Sequence, residues 1–196
     1  TALIASRVIG IFEGSIEKVV ALAALSFENW STYIEYDQRS SAYRSLIDPE
    51  SGYVRPRTNG DFYSPYNPRE VNNHFTEANA FQYSFSPVHD IEGWIEVLTN
   101  YRGAREDWNN LPRKKQIDFI KPRHDVLEDL LDGLFYASSH TTGREQADIT
   151  GLIGQYAHGN EPSHHIAYLY NATNNPRRTS YWTHRILGSQ YQNAPD

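Results

Sequence analysis

The sequence contains no cysteine and no methionine. The absence of cysteine excludes disulfide bridges and a thiolate nucleophile, although it identifies no compartment. No apolar run approaches the roughly 20 residues that a membrane-spanning helix needs, so the sequence predicts no membrane span. The formal net charge of −6 over 196 residues argues against a nucleic-acid partner, because nucleic-acid-binding surfaces are basic.

Motifs of several enzyme classes are also missing. The sequence has no G-x-S-x-G nucleophile elbow, no Walker loop and no dinucleotide-binding fingerprint. Ser163 lies between Pro162 and His164 without the second glycine of an elbow. A serine hydrolase is therefore disfavoured.

Hydrophobic periodicity indicates a mainly α-helical chain. Apolar residues at i, i+3, i+4 and i+7 predict a helix that begins after Asp90, which would cap it. A leucine stripe over 127–134 predicts another helix, and a segment rich in Ala, Val and Leu over 17–30 predicts a helix that is mostly buried. Further helices are expected over about 32–47, 77–85 and 180–190, the last with Trp182, Ile186 and Leu187 inward.

Two segments interrupt this helical pattern. Asn59-Gly60 between two short apolar runs is typical of a β-hairpin turn. Residues 101–122 are charged and punctuated by proline, which predicts a surface insertion. The whole chain, 1–196, is otherwise expected to form a single segment of helices joined by polar loops, either in a ring or in a bundle.

The densest polar cluster is the stretch Gln155–His165. Pro162 suits the first position of a helix, where a missing N–H costs nothing, and His164 and His165 would follow in its first turns. Asn160 and Glu161 would then lie at the mouth of the helix, where carbonyl and carboxylate oxygens can contact a ligand. We interpret the cluster as a ligand site rather than as a capped helix with hydrogen-bonded histidines.

Two kinds of metal are compatible with this cluster. Zinc would need three converging ligands, such as His158, His164 and Glu161, but their spacing is not the H-E-x-x-H pattern. Calcium is better served by Glu161 and loop carbonyls, with water or ligand hydroxyls completing the shell.

A second candidate is Glu77, which the pattern puts in the first turn of a helix capped by Thr76. A carboxylate there often does no more than complement the helix dipole. Alternatively, a pocket lined by Phe75, Phe81 and Tyr83 would favour the protonated form of a carboxyl group and suit a general acid.

Arginines at the hairpin are a third candidate. Arg55 and Arg57, beside Asn59 and Asp61, suit a carboxylate or sugar hydroxyls as ligands. They are equally consistent with solvated charges on a hairpin.

Five ordered blocks resemble glycoside hydrolase family 92, the exo-acting α-mannosidases. The block 158–171 is closest to the family pattern, and the resemblance covers about 39–196. The other four blocks are Asp48–Arg55, Thr76–Tyr83, Pro87–Gly93 and Thr142–Gly154.

The resemblance implies part of an (α/α)6 toroid, preceded in complete members by a β-sandwich domain. It implies a secreted or periplasmic enzyme that hydrolyses terminal α-mannosides of glycans with inversion and needs Ca²⁺. Glu77 matches the general acid, Asn160 and Glu161 match the region of calcium contact, and His164, His165 and Asn79 match sugar contacts.

The sequence also departs from the family pattern. Family members are several times longer, and the segment expected to carry the general base would follow Asp196. The alternative hypothesis is therefore a non-catalytic carbohydrate-binding or scaffold fragment. A zinc hydrolase is a third, weaker hypothesis.

Overall fold

The structure is a computed structural model that describes residues 16–103 and 123–193. Within these ranges the chain is mainly helical, as the periodicity predicts. The α-helices are α1 (16–26), α2 (Trp30–Ser40), α3 (Ala80–Tyr83), α4 (Ile91–Gly103), α5 (Arg123–Tyr136) and α6 (Arg177–Gln190). Three 3-10 helices span Ala42–Leu46, Glu161–Ser163 and Ile166–Ala172.

The strands in the described ranges form three two-stranded ladders. The predicted hairpin is present, because β1 (Arg57–Thr58) pairs antiparallel with β2 (Asp61–Phe62). The sequence pattern did not predict the other two ladders. They are the parallel pair β3 (Glu70–Val71) and β4 (Thr142–Gly143), and the antiparallel pair β5 (Leu152–Ile153) and β6 (Tyr156–Ala157).

Asn59 and Gly60 turn the hairpin with φ values of 54° and 95°. Two successive positive φ values belong to the turn that matches the twist of antiparallel strands, and Asn-Gly adopts it at low cost. The predicted insertion over 101–122 falls mostly on residues 104–122, which lie outside the described ranges, while 101–103 end α4.

The core is built from the two predicted helical stripes. Trp94, Ile95 and Leu98 of α4 are buried, as are the leucines of α5, and the two helices pack against each other. Asp90 caps α4, since its Oδ1 accepts the Gly93 amide at 3.1 Å. Both expectations from the sequence are confirmed.

The carboxyl-terminal helix α6 packs on α5 through stacked rings. The Trp182 and Phe135 ring centroids are 4.1 Å apart, and Trp182 is fully buried. The prediction that Leu187 points inward is wrong, because 58% of it is exposed. Trp182 and Ile186 are four residues apart on the buried face, whereas Leu187 is rotated roughly 100° further round the helix.

The prediction that helix 17–30 is mostly buried is also wrong. Ala21 and Ala24 are covered, but Ile16, Val19 and Leu22 of α1 are exposed. Phe27, just beyond the helix, is 83% exposed. The apolar content of this segment therefore does not report burial within the described part of the chain.

The predicted helix 77–85 is shorter than expected. Asn79, rather than Thr76, is its N-cap, and α3 runs only from Ala80 to Tyr83. The Asn79 side chain accepts the Gln82 amide while the Gln82 side chain accepts the Asn79 amide, which is a reciprocal capping box. Glu77 thus lies in the loop before the helix and not in its first turn.

Pro162 opens a helix as predicted, but of the tighter 3-10 type. It lies in the first turn of Glu161–Ser163, and a second 3-10 helix follows at Ile166–Ala172. His164 and His165 fall between the two. No helix in the described ranges combines the length and apolarity that crossing a bilayer requires.

Candidate functional site

The two predicted motifs, one around Glu77 and one around Asn160, meet in the structure. The Asn160 Nδ2 donates to the Glu77 carbonyl oxygen at 3.3 Å, across 83 residues of sequence. Helix α3 also contacts β6 and the 3-10 helix Glu161–Ser163. The loop that carries Glu77 and the loop that carries Glu161 are therefore neighbours.

Glu77 lies half-buried beside an aromatic wall. Phe75 and Tyr83 are both buried, with ring centroids 5.6 Å apart. The pKa of Tyr83 is raised, first by burial and then by the negative charge of Glu77. Glu77 is therefore close to Tyr83, one ring of the predicted pocket, although it lies in the loop before α3 and not in the helix itself.

Asn79 is completely buried. Besides capping α3, its Nδ2 donates to Gln155 Oε1 at 2.8 Å. Its predicted sugar contact stays a prediction, and in the structure its hydrogen-bonding groups face protein atoms.

Gln155 joins three parts of the chain, and sequence reasoning missed this role. Its side chain is fully buried. Besides accepting from Asn79, its Nε2 donates to the carbonyls of Ser138 at 2.6 Å and His140 at 3.1 Å. Its own carbonyl accepts the Gln82 side chain at 3.0 Å. A lone glutamine has no spacing that would reveal such a role.

Asn160 and Glu161 offer oxygen atoms of the kind that Ca²⁺ prefers. Asn160 is 2% exposed, and its Oδ1 has no hydrogen-bond partner within the described part of the chain. The Ser163 hydroxyl, also buried, has none there either. A buried acceptor without a partner costs free energy, so Asn160 Oδ1 suits a ligand, and the exposed Glu161 supplies a carboxylate beside it.

The described residues give the zinc hypothesis no support. The described residues contain no group of three or more His, Cys, Asp or Glu side chains arranged to hold a metal ion. His164 instead donates from Nε2 to the His158 carbonyl at 2.9 Å.

His158 and His164 line a pocket of about 270 Å³ between β6, the 3-10 helix Ile166–Ala172 and α6. His158 lies between two tyrosine hydroxyls, those of Tyr156 and Tyr191, each 2.8 Å from one ring nitrogen. Burial and the neighbouring His164 lower the pKa of His158. The pocket wall is thus aromatic with polar tips, a surface that suits a polyhydroxylated ligand.

His165 faces a different part of the chain from His164. Its Nε2 donates to the Phe85 carbonyl at 2.7 Å, just beyond α3. Burial lowers the pKa of His165, which favours the neutral imidazole. His164 therefore lines the pocket, whereas His165 links the two motifs.

The hairpin arginines are engaged within the protein. Arg55 donates from Nε to the Tyr63 carbonyl at 2.8 Å. Arg57 donates from Nε to the Ser45 carbonyl at 2.7 Å, and its guanidinium lies 4.0 Å from the Phe62 ring centroid. These bonds give both arginines a structural role, which is neither the ligand binding nor the solvated charges that the sequence left open.

A known family matches most of the chain. Residues 16–196 match the family described as the glycosyl hydrolase family 92 catalytic domain. The chain therefore belongs to glycosyl hydrolase family 92.

Solved structures of this family share the fold. A GH92 alpha-mannosidase from Bacteroides thetaiotaomicron, solved in complex with mannoimidazole, matches 93% of the chain with a TM-score of 0.71 and 28% identity. An inverting GH92 mannosidase from Bacteroides thetaiotaomicron VPI-5482 matches 91% with a TM-score of 0.63 and 23% identity. The chain spans only 22% of each of these two chains. No curated protein matches the chain.

Proposed function

We propose that the chain is part of the catalytic domain of a calcium-dependent, inverting exo-α-mannosidase that removes terminal α-linked mannose from glycans. The observation that carries this proposal is the hydrogen bond between Asn160 and the Glu77 carbonyl. It joins the two motifs of the predicted site in a chain that belongs to glycosyl hydrolase family 92.

Glu77 is the proposed general acid. In inverting glycosidases one carboxylic acid protonates the leaving oxygen while a carboxylate on the opposite face of the sugar activates water. The acid role is supported by the position of Glu77, which is half-buried in the loop that is hydrogen-bonded to the Asn160 side chain. The base belongs to the remainder of the protein.

Asn160 and Glu161 are the proposed calcium contacts. Asn160 Oδ1, which has no hydrogen-bond partner among the described residues, supports this role, and Glu161 adds the negative charge that suits a hard cation. When bound, Ca²⁺ supplies a fixed positive charge that orients sugar hydroxyls. Water, sugar and further chain would complete its oxygen shell.

The proposed substrate-binding residues are His164, His165 and Asn79. Only His164 is placed for direct contact with the sugar. His164 lies on the aromatic pocket and is exposed, which supports direct contact. His165 and Asn79 are hydrogen-bonded inside the protein, which supports an action through the loops that they hold.

The remainder of the protein completes the fold in this proposal. The helices of the chain form one segment of an (α/α)6 toroid, and a β-sandwich domain precedes it. The exposed apolar side chains of α1 would pack on neighbouring helices of the toroid. An enzyme with this substrate acts outside the cytoplasm, in the periplasm or beyond it.

The acid role is tested with Glu77→Gln in the full-length enzyme. We expect turnover of an alkyl α-mannoside to fall by roughly 10²- to 10⁴-fold, the range that general acid catalysis supplies. Turnover of a dinitrophenyl α-mannoside, whose leaving group needs no proton, should change little. Glu50→Gln, at an exposed turn, is the matched control. Equal losses on both substrates would remove Glu77 from the acid role.

Calcium dependence and the alternative function are tested by binding. Calorimetry with mannose should show affinity for the full-length enzyme that chelation abolishes and Asn160→Ala weakens. The alternative, a non-catalytic carbohydrate-binding fragment, predicts that the 196-residue chain by itself binds mannose without turning over either mannoside. Mannose binding that is unaffected both by chelation and by Asn160→Ala would contradict the calcium proposal.

A further inference from the structure

The loop before α3 has no regular structure of its own, yet its backbone is held in place. Residues 72–79 form neither helix nor strand. Three successive carbonyls of this loop, those of Phe75, Thr76 and Glu77, accept hydrogen bonds from side chains about 70 to 80 residues further along the chain. Local sequence therefore does not fix the direction in which Glu77 points.

Arg144 supplies two of these three hydrogen bonds. Its Nη2 donates to the Phe75 carbonyl at 3.3 Å and to the Thr76 carbonyl at 2.7 Å. Its Nη1 donates to Gln146 Oε1 at 2.6 Å. A planar guanidinium held on both sides has little freedom, so it is a rigid support for the two carbonyls.

The backbone of Arg144 is itself fixed to the strand that leads into the loop. Gly143 pairs with Val71 in the parallel ladder, and the Arg144 amide donates to the Val71 carbonyl at 2.8 Å. Gly143 has φ +86°, and a Cβ there would lie 2.2 Å from the Val71 carbonyl oxygen. Glycine at position 143 thus permits the close approach of the two backbones, which brings Arg144 next to the loop.

Arg144 is exposed, so it contributes no core packing. Its loss would remove one exposed and one partly buried hydrogen bond, and a change at an exposed side chain usually has a small effect on stability. A role confined to stability therefore does not account for the two hydrogen bonds that Arg144 makes to the residues directly before Glu77.

We propose that Arg144 is a positioning residue of the candidate site, because it holds the carbonyls of Phe75 and Thr76 and so fixes the backbone from which the Glu77 carboxyl projects. This inference rests on the proposed acid role of Glu77. Gln146, which holds the other arm of the guanidinium, supports Arg144 in the same task.

The test compares kcat for the alkyl and dinitrophenyl α-mannosides in the full-length enzyme. Arg144→Met should lower kcat for the alkyl substrate by roughly 10- to 100-fold, the scale of a misplaced catalytic group, with little change for the dinitrophenyl substrate. Arg144→Lys should recover part of the loss, since it keeps a cation and donors. Gln146→Ala should give a smaller loss of the same kind. Arg185→Met is the control, because Arg185 is exposed on α6.

A double variant separates this inference from the proposed function. In the Glu77→Gln background, Arg144→Met should have no further effect on the alkyl substrate. Suppose that Glu77→Gln lowers kcat only for the alkyl substrate. If Arg144→Met then lowers kcat equally for both substrates, or for neither, Arg144 does not position the acid. If Glu77→Gln shows no selectivity, the acid role itself fails and the positioning role fails with it. Should Arg144→Met not fold, the selectivities of Arg144→Lys and Gln146→Ala decide the question.

Discussion

Two regions of the molecule depart from the usual burial pattern in opposite directions. The linked centre comprises the Glu77–Tyr83 loop and helix and the Gln155–His165 motif. Four of its amide side chains are buried and hydrogen-bonded to distant parts of the chain, namely Asn79, Gln82, Gln155 and Asn160. In the amino-terminal arm, which comprises α1 and α2, large apolar side chains are exposed. Its two helices are joined by ion pairs such as Arg39–Glu17, in which the Glu17 side chain is only 12% exposed.

The difference shows that composition alone does not decide which residues are buried. The arm has few neighbours in the described part of the chain, so its apolar residues have nothing to cover them. The centre contains asparagines and glutamines, which are normally exposed, but each of its buried amides meets partners supplied by other segments. Burial there is permitted by hydrogen bonds, not by side-chain polarity.

The largest effect should follow from closing the space at Gly154, the residue directly before the Gln155–His165 motif of the centre. Gly154 has φ +60°, and a Cβ would lie 2.4 Å from the carbonyl oxygens of Leu134 and Phe135. Gly154→Ala should lower the free energy of unfolding by about 3 kcal/mol or more, because left-handed backbone strain and overpacking add. Tryptophan fluorescence during urea unfolding would report it.

A second glycine is the matched control for Gly154. Gly188 lies in α6, where an added Cβ meets no atom within 4 Å. Gly188→Ala should leave stability unchanged or raise it by up to about 1 kcal/mol, since alanine favours helix. Similar losses at both positions would contradict the view that the close approach at Gly154 matters.

A smaller loss should follow from removing the side chain of Gln155. Gln155→Ala removes the hydrogen bonds to the carbonyls of Ser138 and His140 and leaves Asn79 Nδ2 with only the Arg69 carbonyl at 3.5 Å. We expect a loss of about 2–3 kcal/mol, because unpaired buried polar groups are costly. Thermal unfolding would measure it, with the exposed Gln38→Ala expected within about 0.5 kcal/mol of the parent. A neutral Gln155→Ala would mean that water replaces the lost partners.

The sequence predicts the parts of this fold that depend on local periodicity. The stripes of α4 and α5, the Asp90 cap and the Asn59-Gly60 turn are all confirmed, because each needs only neighbours within about one or two helical turns. The start of α3 was predicted three residues early. Thr76 and Asn79 are both good caps, and Asn79 is selected by its bond to Gln155, 76 residues away.

The candidate site shows the same limit. The motifs around Glu77 and Asn160 could be found from the sequence because family resemblance marks them. The contact between them, the roles of Gln155 and Arg144, and the division between His164 and His165 depend on tertiary hydrogen bonds that no spacing encodes. The burial of α1 was predicted wrongly for a related reason, since an apolar helix does not specify what covers it.

Stability of the centre should depend on pH through His165. Its pKa is lowered in the folded state by burial, so below about pH 6.5 the unfolded chain binds more protons than the folded one. The free energy of unfolding should therefore fall as pH falls below this value. His165→Gln should reduce this slope when urea unfolding is compared at pH 7.5 and 5.5. The exposed His184→Gln should not, and an unchanged slope in both would contradict the assignment.

The smallest effect is expected in the arm. Leu22 is exposed on α1, so in the 196-residue chain alone Leu22→Ala should change stability by less than about 0.5 kcal/mol. In the full-length enzyme, where neighbouring helices are proposed to cover α1, the same change should cost about 2 kcal/mol or more. Leu127→Ala, in the buried stripe of α5, should be costly in both. If Leu22→Ala is neutral in the full-length enzyme too, nothing covers the arm, and its exposure is a property of the complete protein.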